Sequence, residues 1–197
     1  MPYGEKFESA FMYAFQLHRD QYRKGTRVPY ITHLLAVAAI VGEYGGTENE
    51  VVAALLHDAP EDQGGEATLE DIRARFGDEV AEIVAGCTDT YEDPKPPWRE
   101  RKEAYLAHLT GASPSVRLVS SADKLHNART VLADYRAIGE DLWDRFNGGR
   151  EGTLWYYRAI VGSLQNEEPV AEELDRVVTE LERLAGAHVL AEGEKHD

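Results

Sequence analysis

The chain has 197 residues, a length that suits one domain with a sizeable hydrophobic core. It carries 36 Asp and Glu residues against 21 Lys and Arg residues, a formal net charge of −15. This acidic balance argues against a protein that coats nucleic acid or lies on an anionic membrane, because neutralising phosphates requires local Lys and Arg. The acidic net charge is still compatible with a small anionic ligand bound in a single pocket.

The single cysteine and the N-terminus bear on the cellular compartment. Cys87 cannot form a disulfide framework, and the first residues show no basic head followed by an apolar stretch. The longest apolar run, residues 34–41, is far shorter than a membrane helix requires. We therefore expect a cytoplasmic protein.

Apolar residues at helical spacing predict a helix in nearly every segment, and no alternating pattern predicts a strand. Thr47 and Glu50 form a capping-box pattern at the start of an apolar run, and Thr68 resembles a second helix start. Pro60 is expected to end or kink the helix that this run forms. The predicted class is all-α, with helices at 7–21, 30–44, 51–59, 68–84 with a break at Gly77, 99–109, 115–136, 153–164 and 170–184.

The most informative segment is residues 55–62. Here an apolar run, of the kind that forms a buried helix, ends in four ionisable residues within six positions. His57 and Asp58 follow two leucines, and Glu61 and Asp62 come after Pro60. A charge buried without a partner or a metal is costly, so adjacent His and Asp on a buried helix favour a metal site. A charged helix end that faces water is the alternative interpretation.

Two further segments supply polar groups on apolar helices. His33 lies in one of them, although a lone core histidine bonded to a carbonyl is an alternative for it. Asp123 interrupts the other, and Asn127 follows one turn later on the same side. Two imidazoles and two carboxylates form a mixed nitrogen and oxygen set that suits Mn²⁺, Fe²⁺ or Zn²⁺.

These segments resemble the HD superfamily of metal-dependent phosphohydrolases and, more narrowly, the hydrolase domain of the RelA/SpoT alarmone enzymes. Four signatures in the same order carry the resemblance. They are Gln21-Tyr22-Arg23-Lys24-Gly25 with Pro29-Tyr30-Ile31-Thr32-His33; His57-Asp58 with Glu61-Asp62; Phe76-Gly77 with Ile83 and Thr88; and Ala122-Asp123-Lys124-Leu125-His126-Asn127 with Arg129.

The resemblance implies an HD-domain helical bundle with the metal site between core helices, and it implies a role for each matching residue. The implied metal ligands are His33, His57, Asp58 and Asp123, with Mn²⁺ as the usual ion and Fe²⁺ or Zn²⁺ as alternatives. Glu61 and Asp62 match the pair that orients and deprotonates the attacking water. The implied substrate contacts are Arg23 on the guanine, Lys24 beside it, Asn127, and Tyr156 or Tyr157.

The activity implied is hydrolysis of the 3′-pyrophosphate of ppGpp or pppGpp to GDP or GTP. Leu34 and Gln63 depart from the family pattern beside the first His and the catalytic pair. Another phosphorylated nucleotide, such as a nucleoside 5′-monophosphate or NADPH, is an alternative substrate. A non-catalytic nucleotide-binding module and a purely structural helical protein are the alternatives to an enzyme.

We expect a stand-alone hydrolase domain at residues 1–165, because only about 70 residues follow Asn127 and no synthetase domain fits there. Residues 166–197 are predicted to form an acidic C-terminal helix and tail on the same domain; from Glu167 onward they hold ten acids and three bases. The expected partner is a small nucleotide, with no nucleic acid and no membrane. The oligomeric state stays open, with a homodimer as one option.

Overall fold

The computed structural model describes residues 3–91, 94–164 and 169–193, and side chains as far as residue 186. Within these ranges the regular structure is helical, apart from an isolated bridge between Tyr22 and Pro29, so the predicted all-α class is confirmed. The helices are α1 (Glu5–Leu17), α2 (Ile31–Glu43), α3 (Glu48–Leu56), α4 (Ala59–Asp62), α5 (Gly65–Phe76), α6 (Asp78–Cys87), α7 (Trp98–Thr110), α8 (Pro114–Ile138), α9 (Gly149–Leu164) and α10 (Pro169–Gly193), with a 3₁₀ helix at Gly139–Arg145.

Helix α3 lies at the centre of the bundle. Its first turn is held by the predicted capping box, in which Thr47 Oγ1 accepts a hydrogen bond from Glu50 N and Glu50 Oε2 accepts one from Thr47 N. All six residues at 51–56 are buried, because α1, α2, α6 and α8 pack around this helix. The apolar run therefore ends in the interior of the molecule rather than at its surface.

Helix α10 packs against α8 and α9 through a buried apolar stripe and pairs its charges with theirs. The stripe includes Val170, Leu174, Val178 and Leu181. Arg158 on α9 bonds Asp175 and Glu182, while Arg129 and Arg136 on α8 pair with Glu173 and Glu180. The expected domain boundary at 165/166 lies outside the described residues.

Two local predictions were wrong, and one short element was not predicted. Thr68 does not begin a helix: α5 starts at Gly65, and Thr68 Oγ1 donates to the Gln63 carbonyl inside its first turn. Gly64 and Gly65 make this earlier start accessible, since both have positive φ angles of 116° and 64°. Helix α1 ends at Leu17 instead of continuing to Gln21, and the 3₁₀ helix was not predicted.

A search of the described residues for a helix long and apolar enough to cross a membrane finds none.

The contact between α6 and α8 depends on the absence of a side chain at Gly86. A Cβ atom there would lie 2.5 Å from Cγ2 of Val116. We expect Gly86→Ala to lower the free energy of unfolding by about 1–3 kcal/mol, measured by urea denaturation, because overpacking forces both helices to shift.

The matched control is Gly162→Ala on α9, where no atom lies within 4 Å of the new Cβ. There we expect a gain of about 0.5–1 kcal/mol from the helix interior. Equal stability of the two variants would contradict the close packing.

Candidate active site

The break between α3 and α4 positions His57 and Asp58. Helix α3 ends at Leu56, and Pro60 occupies the first turn of the short helix α4. Proline is accepted in a first turn because its missing N–H would have no helical partner there. The two side chains therefore leave the chain at a corner in the interior, where His57 is 2% exposed.

Helices α2 and α8 bring His33 and Asp123 to the same place. His33 Nε2 lies 3.4 Å from Asp58 Oδ2 and 3.2 Å from Asp123 Oδ1. His57 Nε2 lies 3.0 Å and 3.6 Å from the same two oxygens. Two ligands about 2.1 Å from a metal lie about 3.0 Å apart at a right angle and about 3.4 Å apart at the tetrahedral angle. The spacing of these four atoms fits one cation between them.

The hydrogen bonding of the two imidazole rings is also compatible with a bound cation. His57 Nδ1 lies 2.8 Å from the carbonyl oxygen of Ala54, which can only accept, so Nδ1 carries a proton and the neutral ring has its lone pair on Nε2. The Nε2 atoms of His33 and His57 are buried and have no hydrogen-bond partner among the described residues. Ligand atoms of His33, His57 and Asp58 all lie within 4.8 Å of one another. A divalent metal would satisfy the two orphaned nitrogens and both carboxylates.

The electrostatics of the cluster point the same way. Burial opposes a charge on His57, but the Asp58 carboxylate raises its pKa well above the usual value. Burial likewise opposes ionisation of Asp58, yet His57 holds the pKa of Asp58 well below its usual range. Lys124 does the same for Asp123, whose pKa stays low in spite of burial. The cluster thus holds two carboxylates ionised and attracts positive charge.

Glu61 and Asp62 lie on α4, one turn beyond the ligand cluster. Glu61 Oε1 accepts a hydrogen bond of 2.8 Å from Lys95 and lies 3.6 Å from Arg101 Nη1. Asp62 Oδ2 accepts one of 2.7 Å from Gln21 Nε2. Partial desolvation of the Asp62 carboxyl, together with the nearby charge of Asp58, raises its pKa to about 6, although the residue keeps contact with solvent.

A cavity of about 370 Å³ adjoins the cluster, with Glu61 in its wall. Its lining is strongly basic, in contrast to the acidic chain. Two carboxylates in the wall, Glu61 and Asp134, face six cationic side chains, which are Arg23, Lys24, Arg101, Lys102, Lys124 and Arg145. Aromatic rings complete the lining, namely Tyr30, Trp98, Phe146, Tyr156 and Tyr157. The cavity therefore suits an anion that carries an aromatic ring.

All four residues expected to contact substrate line this cavity. Arg23 Nη2 donates to Asn127 Oδ1 over 2.5 Å, and Asn127 Nδ2 donates to Asp123 Oδ1. Lys24 lies further out, 3.2 Å from Asn147 Oδ1. The hydroxyl oxygen of Tyr156 is buried and has no hydrogen-bond partner in the described structure. Asn127 thus connects the proposed guanine contact to the ligand cluster.

Sequence reasoning missed four basic residues of the wall, Arg101, Lys102, Lys124 and Arg145, and the carboxylate that holds two of them. Arg101 and Lys102 on α7 both bond Oδ2 of Asp89, whose side chain is 6% exposed. Lys124 contacts Asp123 from within the quoted signature. The three basic residues Arg99, Arg101 and Lys102 were the available signal, but α7 has no clear apolar stripe to show which side faces inward.

Tyr30 and His126 are further neighbours of the cluster. The Tyr30 hydroxyl donates to Asp58 Oδ2 over 2.7 Å. His126 Nδ1 lies 2.8 Å from Nδ1 of His33. Both residues occur in the quoted signatures, but sequence spacing does not show contacts between helices and so does not place either of them against the cluster.

Comparison with known proteins gives the family context. The family model described as the HD domain matches residues 10–154. The protein MESH1 of Xenopus tropicalis, named a guanosine-3′,5′-bis(diphosphate) 3′-pyrophosphohydrolase, is 41% identical over 122 residues, which cover 60% of this chain and 65% of that protein. A protein of the same enzyme name from Aquifex aeolicus is 35% identical over 129 residues, 66% of this chain but 18% of that longer protein. The chain thus matches less than two thirds of each of these relatives.

Two solved structures share the architecture. A metazoan ortholog of SpoT that hydrolyses ppGpp superposes with a TM-score of 0.75 at 25% identity, covering 90% of this chain and 96% of that one. The protein lmo0812 of Listeria monocytogenes superposes with a TM-score of 0.66 at 35% identity, covering 74% of this chain and 96% of that one. The helical bundle expected from the resemblance is confirmed.

Proposed function

Because the chain belongs to the HD-domain family, whose members bind a divalent metal, we propose that it is a guanosine-3′,5′-bis(diphosphate) 3′-pyrophosphohydrolase. It hydrolyses ppGpp to GDP and pppGpp to GTP, releasing pyrophosphate and ending the stringent-response signal. One observation carries the proposal: a four-residue ligand cluster lies beside a basic, aromatic cavity whose wall includes Glu61, one of two neighbouring carboxylates on α4. The enzyme names of the relatives from Xenopus tropicalis and Aquifex aeolicus support the same substrate.

We propose Mn²⁺ as the metal, held by His33, His57, Asp58 and Asp123. The mixed set of imidazole and carboxylate groups suits Mn²⁺ and does not favour a metal that prefers thiolates. When bound, such an ion supplies Lewis acidity at a phosphoryl oxygen and makes water more acidic. The hydrogen bonds from Tyr30 to Asp58 and from Asn127 to Asp123 hold the carboxylates in place for it.

The carboxylates on α4 serve the attacking water. Glu61 or Asp62 accepts a proton from this water as its oxygen attacks the phosphorus nearest the ribose. The bond from that phosphorus to the ribose 3′ oxygen breaks, and the 3′ oxygen takes up a proton as pyrophosphate leaves. Lys95 and Gln21 orient the two carboxylates through the bonds of 2.8 and 2.7 Å described above. General-base catalysis of this kind contributes a factor of about 10²–10⁴.

The cationic wall compensates for the charge of the substrate. Arg101, which lies 3.6 Å from Glu61, binds the phosphates together with Lys102, its neighbour on Asp89, and Lys124, which contacts Asp123. Arg23 stacks its guanidinium plane on the guanine, which lysine could not do, and Lys24 adds charge beside it. Asn127 and Tyr156 contact the nucleoside. A focused positive potential in a chain of charge −15 draws the polyanion to this cavity.

We propose that residues 1–165 form the hydrolase domain and that residues 166–197 form an acidic helix and tail on it. The buried apolar stripe of α10 and its ion pairs with α8 and α9 support this division. The helix packs on the side chains of α8 that follow the cluster, so it supports the scaffold rather than the chemistry.

The direct test is incubation of the purified protein with Mn²⁺ and four nucleotides: ppGpp, pppGpp, a deoxynucleoside monophosphate and NADPH. We expect pyrophosphate release from ppGpp and pppGpp, because the cavity holds enough cations for two diphosphate groups. Release of phosphate from the monophosphate or from NADPH, with none from ppGpp, would replace the proposed substrate by another nucleotide. The matched control is the same incubation with a chelator that removes the metal, which should stop the reaction.

A further inference from the structure

His126 contacts His33 on the side that faces away from the carboxylates. It lies on α8 three residues after Asp123, half-buried, with its ring centroid 4.9 Å from that of His33. The two Nδ1 atoms are 2.8 Å apart. His33 itself is 1% exposed, so this contact lies in the interior beside the ligand cluster.

The short distance constrains the protons. Two imidazole nitrogens in a hydrogen bond share one proton, so one ring donates and the other accepts. His33 Nε2 lies beside Asp58 Oδ2 and Asp123 Oδ1 and can offer a lone pair to a cation only when the proton of His33 is on Nδ1. In that arrangement His126 Nδ1 is the acceptor, and the proton of His126 is on its Nε2.

The two histidines of the cluster differ in how their tautomers are set. His57 donates to the carbonyl of Ala54, and a carbonyl can only accept, so the backbone itself sets its tautomer. His33 has another imidazole in the corresponding place, and an imidazole can donate or accept. The binding form of His33 therefore depends on the side chain at residue 126.

We propose that His126 is a positioning residue that accepts the Nδ1 proton of His33 and so directs the Nε2 lone pair into the ligand cluster. The inference rests on the metal site of the proposed function and extends it to a residue outside the ligand set. Partners of this kind change metal affinity by about 10–100-fold when removed. His126 touches neither the metal position nor the substrate.

Two substitutions of similar size separate hydrogen bonding from packing. In His126→Asn, the side-chain Oδ1 takes the position of Nδ1 and keeps an acceptor. In His126→Leu, a methyl group takes that position and no acceptor remains. Mn²⁺ is titrated into each metal-free protein by calorimetry, so the readout is the dissociation constant and not the activity.

We expect His126→Leu to raise the dissociation constant for Mn²⁺ by about 10–100-fold, and His126→Asn to raise it by less than about 3-fold. At saturating Mn²⁺ the Leu variant should regain most of its kcat, because no group that touches substrate has changed. Should the Leu variant fail to fold by circular dichroism, His126→Ala takes its place, since it also removes the acceptor and suits a helix.

Each outcome decides the matter. Wild-type affinity in the Leu variant would overturn the inference and leave the proposed metal site intact. Equal losses in the Asn and Leu variants would also overturn it, because packing and not the acceptor would then explain the loss. A wild-type protein that binds no Mn²⁺ would instead refute the proposed metal, and the inference with it.

Discussion

Replacing His57 with alanine is expected to abolish metal binding and, with it, hydrolysis of ppGpp. His57 is buried at the end of α3, and its Nε2 lies between Asp58 Oδ2 and Asp123 Oδ1, at 3.0 and 3.6 Å. Without this ligand, three groups remain to hold the cation, and the activity should fall by at least about 10³-fold, since an acidified water is lost. Elemental analysis of the purified variant and a pyrophosphate release assay measure the two effects.

Folding has to be checked in this variant, because removing one partner of a buried ion pair is costly, about 3–5 kcal/mol. His33→Ala is the independent second variant, since it removes a ligand from α2 instead of α3. His108→Ala on α7 is the matched control: its Nε2 contacts the Gly86 carbonyl, and it is not part of the site. A folded His57→Ala protein that retains stoichiometric metal and normal turnover would refute the ligand cluster.

The second large effect is expected at the carboxylates of α4. Glu61→Gln and Asp62→Asn keep the shape of each side chain but remove its ability to accept a proton. We expect the residue that deprotonates the water to lose about 10²–10⁴-fold in kcat when replaced, and its neighbour to lose less. Stoichiometric metal and ppGpp binding no weaker than that of the wild type in both variants would show that the loss is chemical.

These variants also separate an enzyme from a binding module. In a non-catalytic sensor, the wild type would show no turnover, and both variants would bind ppGpp as the wild type does. The matched control is Glu66→Gln, an exposed carboxylate on α5 outside the proposed catalytic pair, which should change kcat by less than about 2-fold. A wild-type rate in both Glu61→Gln and Asp62→Asn would exclude the proposed general base.

The two variants differ in what surrounds the lost charge. Glu61 is paired with Lys95 and lies near Arg101, so its loss leaves a cation without its partner beside the substrate phosphates. Ground-state binding of the polyanion should therefore tighten in Glu61→Gln while turnover falls. Asp62 bonds the uncharged amide of Gln21, so its loss should change binding little. The two variants can thus be told apart by their kinetic constants: KM and kcat both fall in Glu61→Gln, whereas KM changes little in Asp62→Asn.

Local patterns determined a large part of the fold. The capping box at Thr47 and Glu50 and the apolar run after it suffice to place α3, because helix starts depend on groups within one turn of each other. Pro60 similarly marks the corner after His57, since its ring and missing N–H act on its own backbone. Where two local signals competed, as at Thr68, the permissive glycines at 64 and 65 set the helix start instead.

The ligand residues could be predicted one segment at a time. His57 and Asp58 stand out because ionisable groups follow an apolar run directly, and burial of such groups needs a compensating charge. His33 and Asp123 stand out as polar residues on apolar helices, but a single residue of this kind has several explanations, and the resemblance to family signatures favoured the metal ligand. Their convergence within 3.2 Å of each other is a property of how α2 and α8 pack.

What the sequence by itself determined is therefore the helical class, most helix positions and the identity of the acidic and imidazole groups. Only the tertiary structure decided that the cavity is basic in so acidic a chain. The same holds for the position of Asp89, which bonds Arg101 and Lys102 of the cavity wall, and for the contact of His126 with His33. The physical reason is the sequence separation over which the deciding interactions act. Backbone conformation follows from neighbours within a turn, whereas these contacts join residues up to 93 positions apart and depend on how whole helices pack.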